Sequence, residues 1–80
     1  MARLTGVVRA GDAPAPRAYV QVRNRDGDFV GEVRTDDEGW YVLHLVPGRW
    51  TIVSWLAGSG EAREDIEVGG GDLQTDIVLG

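Results

Sequence analysis

The sequence of this 80-residue chain predicts an all-β fold, and three observations support that prediction. Short runs that alternate apolar and polar residues recur at intervals of about 8–12 residues, as they do in β-sandwiches. Clusters of Gly, Pro, Asn and Asp separate these runs, and no segment has the apolar periodicity of a helix. We therefore expect a seven-stranded antiparallel β-sandwich in which residues 1–80 form a single domain.

Each expected strand ends at a recognisable turn or break. The segment 12–16 contains Pro14 and Pro16, and because proline fixes its own φ and restricts the residue before it, an extended connection is expected there. Residues 24–28, 36–39 and 69–72 each combine glycine with Asp or Asn and predict turns. The expected strands cover residues 3–9, 17–24, 28–35, 39–46, 49–57, 61–68 and 72–79.

The expected core is a set of large apolar residues that recur at every second position along the strands. Side chains at this spacing lie on one face of a strand, so the set can pack into a single interior. Its members are Val20, Val22, Phe29, Val33, Tyr41, Leu43, Leu45, Trp50, Ile52, Ile66, Val68, Leu73, Ile77 and Leu79.

The segment 40–55 is expected to form a β-hairpin around Pro47-Gly48 with apolar residues on both faces. If strands 40–45 and 50–55 pair, the inward residues named above share one face. The other face then carries His44 beside Thr51, together with an apolar set that the core does not need. That surplus set consists of Trp40, Val42, Val53 and Trp55.

Composition excludes several classes of function. The net charge of −5 argues against nucleic acid or an anionic membrane as a ligand, since both attract basic surfaces. The chain has no cysteine, so we expect neither disulfides nor a thiolate metal site. It lacks an apolar run of transmembrane length and a signal-peptide pattern, so we expect a cytoplasmic protein, or a virion protein if a bacteriophage encodes it.

The charge is unevenly distributed between the two ends of the chain. Residues 1–25 contain five arginines and one acidic residue, whereas residues 61–80 contain six acidic residues and one arginine. Either the terminal strands lie close together and neutralise each other, or the two poles dock neighbouring copies. We favour the first interpretation because surface charge mostly serves solubility.

Catalytic and metal-binding constellations are not evident. His44 is the only histidine, and neither Ser54 nor Ser59 has a base in local register, so no nucleophilic triad can be assembled. Residues 24–28 superficially resemble a calcium loop, but the glycine is at the fourth position instead of the sixth. We expect no enzyme activity, no metal and no cofactor.

Five segments that span nearly the whole chain carry a family pattern: Gly6-Val7-Val8, residues 18–22, residues 35–43, Pro47 to Ile52 and Asp76 to Leu79. Together they resemble the carboxypeptidase regulatory-like domains, which are transthyretin-like, Ig-like β-sandwiches. Within that family the chain resembles small free-standing actinobacterial proteins that are often encoded beside sulfur-transfer enzymes. In many relatives the domain stabilises, presents or docks another domain. Since residues 1–80 are expected to form a single domain, the resemblance implies a docking partner on a different chain.

These observations predict a non-catalytic interaction module that binds a protein partner or a second copy of itself. Trp40 and Trp55 are the predicted anchors, supported by Val42, Val53, His44 and Tyr19. A bacteriophage capsid or tail decoration protein is the most concrete candidate, and an accessory protein to a sulfur-transfer enzyme is an alternative.

Two other interpretations of the tryptophans stay open. Aromatic rings on a flat sheet can stack against sugars, so a carbohydrate-binding module is possible, although the face offers few planar polar groups to hold a sugar. Alternatively, a terminal strand or the segment 12–16 covers the tryptophans.

Overall fold

The computed structural model describes all 80 residues as two packed β-sheets with no helix, and hence with no helix that could span a membrane. The all-β prediction is confirmed. The strands are β1 (Ala2–Ala10), β2 (Ala13–Pro14), β3 (Tyr19–Arg23), β4 (Phe29–Arg34), β5 (Trp40–Leu45), β6 (Gly48–Leu56), β7 (Gly60–Val68), β8 (Leu73–Gln74) and β9 (Ile77–Leu79).

The first sheet is organised around β1. Strands β5 and β2 pair with it antiparallel, and the short C-terminal strands β8 and β9 pair with it in parallel. The second sheet is antiparallel with the strand order β4-β3-β6-β7. The N- and C-terminal strands are therefore neighbours, but no ion pair joins them, because the salt bridges are Arg17–Asp37 and Arg49–Glu67.

The expected strand over 72–79 is divided into β8 and β9. Between them the Thr75 N–H still bonds the Thr5 carbonyl, while the Asp76 carboxylate accepts the Val7 N–H. Asp72 accepts the Arg3 N–H in the same way. Carboxylates thus replace backbone carbonyls along this side of β1, and the paired segments are only two and three residues long.

The predicted hairpin between residues 40–45 and 50–55 is wrong. Strand β5 pairs with β1 in the first sheet, whereas β6 pairs with β3 and β7 in the second. The connection crosses between the sheets, and the Trp50 indole N–H holds it by donating to the Val46 carbonyl at 3.0 Å. The crossing places Tyr41 and Ile52 on opposing inner faces of the sandwich, where both are buried.

The core is one cluster that draws residues from both sheets, and most of the predicted inward residues belong to it or pack against it. Phe29 and Leu73 are exceptions and are exposed, Phe29 at 58 %. A register shift between Val22 and Arg23 pairs Phe29 with Arg23 and so turns it outward. The buried apolar residues missing from the prediction lie in β1 and the loop before β3: Ala2, Leu4, Val7, Val8, Ala15 and Ala18.

Candidate interaction surfaces

The six predicted partner-binding residues form two separate groups. Trp40, Val42 and His44 lie on the outer side of β5 in the first sheet, whereas Tyr19, Val53 and Trp55 lie on the outer side of the second sheet. The two anchors are therefore not cross-strand neighbours, as the predicted hairpin required. The physical reason is the crossing connection after β5, which sends the two halves of the expected hairpin to different sheets.

His44 was expected beside Thr51, and this is also wrong. His44 pairs with Arg3 of β1 and is exposed. Thr51 is in the other sheet, where it pairs with Asp65 of β7 and donates its hydroxyl hydrogen bond to that carboxylate at 2.8 Å.

Tyr19 and Trp55 form a stacked pair on the second sheet. They occupy directly opposed positions on β3 and β6, their ring centroids lie 5.2 Å apart, and the ring planes differ by 16°. This is offset stacking, a favoured arrangement of aromatic rings. Both side chains are half-buried, so each ring covers part of its neighbour and keeps part of its surface in solvent.

Arg34 completes the stack from the other side of Tyr19. Its guanidinium carbon lies 4.6 Å from the Tyr19 ring centroid, within the range of a cation–π contact. Strands β4 and β6 flank β3, so the guanidinium and the Trp55 indole approach Tyr19 from opposite sides. We call the outer side of the second sheet around Arg34, Tyr19 and Trp55 the aromatic face.

The Arg34 side chain is fixed by the backbone beneath it. Its Nε and Nη2 atoms both donate to the Arg17 carbonyl, at 3.2 and 3.0 Å. Arg17 has φ 59°, the only positive φ outside glycine in this chain, and its side chain pairs with Asp37 at 2.8 Å. Such backbone strain persists only where surrounding contacts impose it.

The buried Thr35 hydroxyl supplies those contacts. It donates to the Ala15 carbonyl at 2.6 Å and accepts the Ala18 N–H at 2.8 Å, while the Thr35 carbonyl accepts the Arg17 N–H. The loop before β3 is thereby held against the end of β4. Its anchored conformation places the Arg17 carbonyl where Arg34 can reach it.

Arg34 and Arg17 were absent from the predicted site. The sequence signal for Arg34 was incomplete, although residues 24–28 do form a turn in which the Asn24 side-chain oxygen accepts the Asp26 and Asp28 N–H groups. Counting back along the two strands from that turn would pair Tyr19 with Val33, and only the register shift between Val22 and Arg23 pairs Tyr19 with Arg34. The strain at Arg17 has no signal in the sequence.

Charged residues of both signs surround the aromatic face. Glu61 is the cross-strand neighbour of Trp55, and the next row of the sheet runs Glu32, Gln21, Val53 and Arg63. A face of this kind combines an apolar centre with a polar rim.

The second group, on β5, is more exposed. Trp40 is 40 % and Val42 46 % exposed, and no terminal segment lies over them, because β1 pairs beside β5. The alternative in which a terminal strand covers the tryptophans is therefore not observed at Trp40.

The chain contains no enclosed pocket and no cluster of His, Cys, Asp or Glu that could hold a metal ion. One ionisable group has a strongly altered pKa, and it belongs to the interior. Burial raises the pKa of the Tyr41 phenol far above its usual value, and the negative charges of Asp76 and Glu64 raise it further. Tyr41 therefore stays protonated and donates its hydrogen bond to Thr75 at 2.5 Å.

Comparison with solved structures supports the transthyretin-like part of the sequence resemblance. A DUF3823 family protein from Parabacteroides merdae is similar with a TM-score of 0.70 at 12% identity over 98% of this chain. The chain spans 45% of that protein's length. The 5-hydroxyisourate hydrolase of Klebsiella pneumoniae is similar with a TM-score of 0.69 at 16% identity, covering 99% of this chain and 92% of that one.

These TM-scores show a shared fold, a transthyretin-like β-sandwich, and at such low sequence identity they show the fold alone. No curated protein matches the sequence. Residues 1–79 match the model of a family described as "Protein of unknown function (DUF1416)", and the chain therefore belongs to the DUF1416 family.

Proposed function

We propose that this small β-sandwich is a non-catalytic module that binds a partner protein through the aromatic face. The observation that carries the proposal is the stack of Arg34, Tyr19 and Trp55, which stands on the open side of a four-stranded sheet. The hydrophobic core is complete without these side chains, since none of them belongs to the core cluster.

The residue types in the stack support a protein partner. Trp, Tyr and Arg are the side chains most enriched among the few residues that dominate binding energy at protein interfaces. Here they are already held in place, because the Arg34 guanidinium has two hydrogen bonds to the Arg17 carbonyl and lies over the Tyr19 ring. Side chains that are ordered before binding lose less conformational entropy when a partner arrives.

The charges around the stack provide orientation. Glu61 adjoins Trp55, and Glu32 and Arg63 lie one row away. A partner that fits this face presents an apolar centre and opposite charges at matching positions, and charge complementarity of this kind sets orientation and association rate more than affinity.

The geometry of the rings supports a protein over a carbohydrate. A sugar stacks on an open ring face, but the two sides of Tyr19 are covered by Trp55 and by the Arg34 guanidinium. Both faces of the Tyr19 ring are thus occupied, and the charged rim of the stack suits the side chains of another protein. Glycan binding is retained as an outcome of the experiment below.

The partner determines the cellular setting. A bacteriophage capsid or tail would place this protein in the virion as a decoration subunit, and a sulfur-transfer enzyme would make it a cytoplasmic accessory protein. The genes beside this one distinguish these two settings. In either setting the module works without a cofactor, and the exposed position of the single histidine supports a non-catalytic role.

The experiment compares three tagged forms of the chain: wild type, Trp55→Ala and Arg49→Ala. Arg49 lies on the same side of β6 as Trp55 but at the other end of the strand, so it serves as the matched control. Each form is cross-linked in the source cells, captured proteins are identified by mass spectrometry, and binding is then measured with the purified partner. A glycan array is run in parallel.

We expect a partner captured by wild type and Arg49→Ala to bind Trp55→Ala at least about 30-fold more weakly, the effect of losing an anchor worth about 2 kcal/mol. Circular dichroism checks that all three forms are folded. Equal binding by Trp55→Ala would overturn the assignment to the aromatic face, and glycan binding that is lost with Trp55 would favour the carbohydrate interpretation.

A further inference from the structure

Three of the four sheet edges in this sandwich carry the features that prevent edge strands from pairing with other chains. Strand β4 carries Glu32 and Arg34 and pairs with β3 across a register shift. The C-terminal edge of the first sheet is divided into β8 and β9, of two and three residues. Strand β7 has five charged residues: Glu61, Arg63, Glu64, Asp65 and Glu67.

Strand β5 has none of these features. Its six residues include no charged side chain, no proline and no glycine, and its register with β1 is continuous over its whole length. It pairs with β1 on one side only. An uncharged, regular edge strand of this length is a template for pairing with another strand.

The hydrogen-bond pattern identifies which backbone groups of β5 are open. The Val8 N–H donates to the Gly39 carbonyl at 2.8 Å, so Val8 and Gly39 occupy a hydrogen-bonding position of the antiparallel ladder. Such positions alternate along a strand, so Tyr41, Leu43 and Leu45 direct their backbone groups toward β1.

Residues at the intervening positions direct their backbone groups away from β1. At Trp40 these groups are already bonded, because its N–H donates to the Asp36 carboxylate and its carbonyl accepts the Asp36 N–H. Val42 and His44 have no such partner. The open edge of β5 therefore offers four backbone groups, an N–H and a carbonyl from each of these two residues.

We infer that β5 pairs antiparallel with β5 of a second copy of this chain, with the two-fold axis at Leu43. In this register Val42 of each copy is opposite His44 of the other, and the two pairs satisfy all four open backbone groups. Shifting the axis to Val42 would pair His44 with Trp40, whose backbone groups are already bonded to Asp36.

The side chains on the outer face agree with this register. It places Trp40 of one copy opposite Val46 of the other, beside the central Val42 and His44 pairs. Val46 is 49 % exposed and follows β5 directly. The exposed apolar residues at positions 40, 42 and 46 of both copies thus form one continuous surface, with no charged side chain among them.

Charge selects this edge among the surfaces through which two copies could meet. Each copy has a net charge of −5, so most contacts between copies would oppose like charges. The β5 edge brings two copies together with no acidic side chain on the pairing strands. Pairing also consumes the one unprotected edge of each copy, so assembly closes at a dimer and does not continue into fibres.

The experiment uses two oppositely charged edge variants of the full chain. The double substitutions Val42→Lys/His44→Lys and Val42→Glu/His44→Glu place like charges across the proposed two-fold axis. The matched control is Val78→Lys, which adds a charge at a 62 %-exposed position on the outer face of the same sheet, in β9. Oligomeric state is measured by sedimentation velocity from about 1 to about 500 µM, a range that resolves a micromolar Kd.

We expect wild type and Val78→Lys to form dimers and each double variant alone to dimerise at least about 100-fold more weakly, because like charges then oppose each other. Mixing the two double variants should restore a dimer, since each new lysine lies opposite a new glutamate. A monomeric wild type at about 500 µM, or double variants that dimerise as wild type does, would overturn the inference.

A measurement on the wild type keeps the test decisive if a double variant fails to fold. Amide hydrogen exchange of Val42 and His44 should slow as protein concentration rises, whereas exchange in β7 should not change. Protection at these two amides that is independent of concentration would contradict the dimer. The inference is separate from the proposed function, because Trp55→Ala should leave the dimer intact.

Discussion

Tyr41 and Thr75 are joined across the central strand of the first sheet. Tyr41 is the cross-strand partner of Gly6, and its hydroxyl donates to the Thr75 carbonyl on the far side of β1, at 2.5 Å. The ring passes over Gly6, where an added Cβ would lie 2.9 Å from the Tyr41 Cε2 atom. One side chain thus links β5 to the C-terminal segment through the space left by a glycine.

Removing the Tyr41 hydroxyl tests how much its hydrogen bond to Thr75 contributes to the free energy of unfolding. Tyr41→Phe leaves the partly buried Thr75 carbonyl without its donor, so we expect the free energy of unfolding to fall by about 1–2 kcal/mol in urea titrations. Tyr19→Phe is the matched control, because the Tyr19 hydroxyl has no hydrogen-bond partner in the protein, and its stability should stay close to that of wild type. Equal losses for the two variants would contradict this account.

The raised pKa of Tyr41 predicts a loss of stability at alkaline pH. Burial, with the charges of Asp76 and Glu64, keeps Tyr41 protonated in the folded state, whereas the unfolded phenol ionises near its usual pKa of about 10. The contribution of the protonated Tyr41 to the free energy of unfolding is complete below about pH 10. It is lost as pH rises above that value, by up to about 1.4 kcal/mol per pH unit. The measurement is urea titration at several alkaline pH values, in which Tyr41→Phe should show a shallower decline than wild type.

Gly6 is expected to tolerate no side chain. A Cβ there would lie 1.8 Å from the Thr75 carbonyl oxygen, a separation that forces β1 and the C-terminal segment apart. Gly6→Ala should therefore destabilise the fold by about 3 kcal/mol or more in denaturant titrations. Gly31→Ala in β4 is the control, since nothing lies within 4 Å of its Cβ position, and it should change stability by less than about 1 kcal/mol.

The three tryptophans should differ in their contribution to monomer stability. Trp50 packs against the core and bonds Val46, so Trp50→Ala should cost about 2–4 kcal/mol. Trp55→Ala loses the stack on Tyr19 and should cost about 1–2 kcal/mol, and Trp40→Ala should cost less than about 1 kcal/mol. Thermal and urea denaturation at concentrations low enough to be monomeric would show this order, and equal losses would contradict it.

Alternation within each strand was predictable from the sequence, and strand pairing was less so. Tyr41, Leu43 and Leu45 are buried and Trp40 and Val42 exposed, as expected from period two. The same pattern is satisfied whether β5 pairs with β6 or with β1, because side-chain alternation does not specify which strand lies alongside. Because the connection between β5 and β6 is short, a hairpin was the expected pairing. In the structure this connection instead crosses from the first sheet to the second.

The core was only partly predicted, and the reason is related. Leu4, Val7 and Val8 are buried because β1 lies at the centre of the first sheet, with partners on both sides. Their sequence context, with Arg3, Thr5 and Gly6 interspersed, is compatible with an edge strand as well. Whether β1 is a central or an edge strand depends on β5, β8 and β9, which are distant in the sequence. The local residue pattern of β1 therefore does not show its position in the sheet.

The candidate site shows the same division. The outward direction of the aromatic residues and the turn between β3 and β4 are local consequences of alternation and turn chemistry, whereas the pairing of Tyr19 with Arg34 depends on the register shift between Val22 and Arg23. The positive φ of Arg17 and the open edge of β5 depend on contacts made by residues far apart in the chain. Thr35, for example, fixes the loop before β3 only because β4 returns beside it.

The sequence by itself determined the all-β class, the turns and the inward or outward direction of most side chains, because these follow from the pleat of single strands and from the conformational preferences of Gly, Pro, Asn and Asp. Only the tertiary structure decided which strands are neighbours. That choice separated Trp40 from Trp55, stacked Trp55 on Tyr19 and left β5 unpaired on one side. Neighbour choice minimises the free energy of the whole packed core, and no single segment of sequence encodes it.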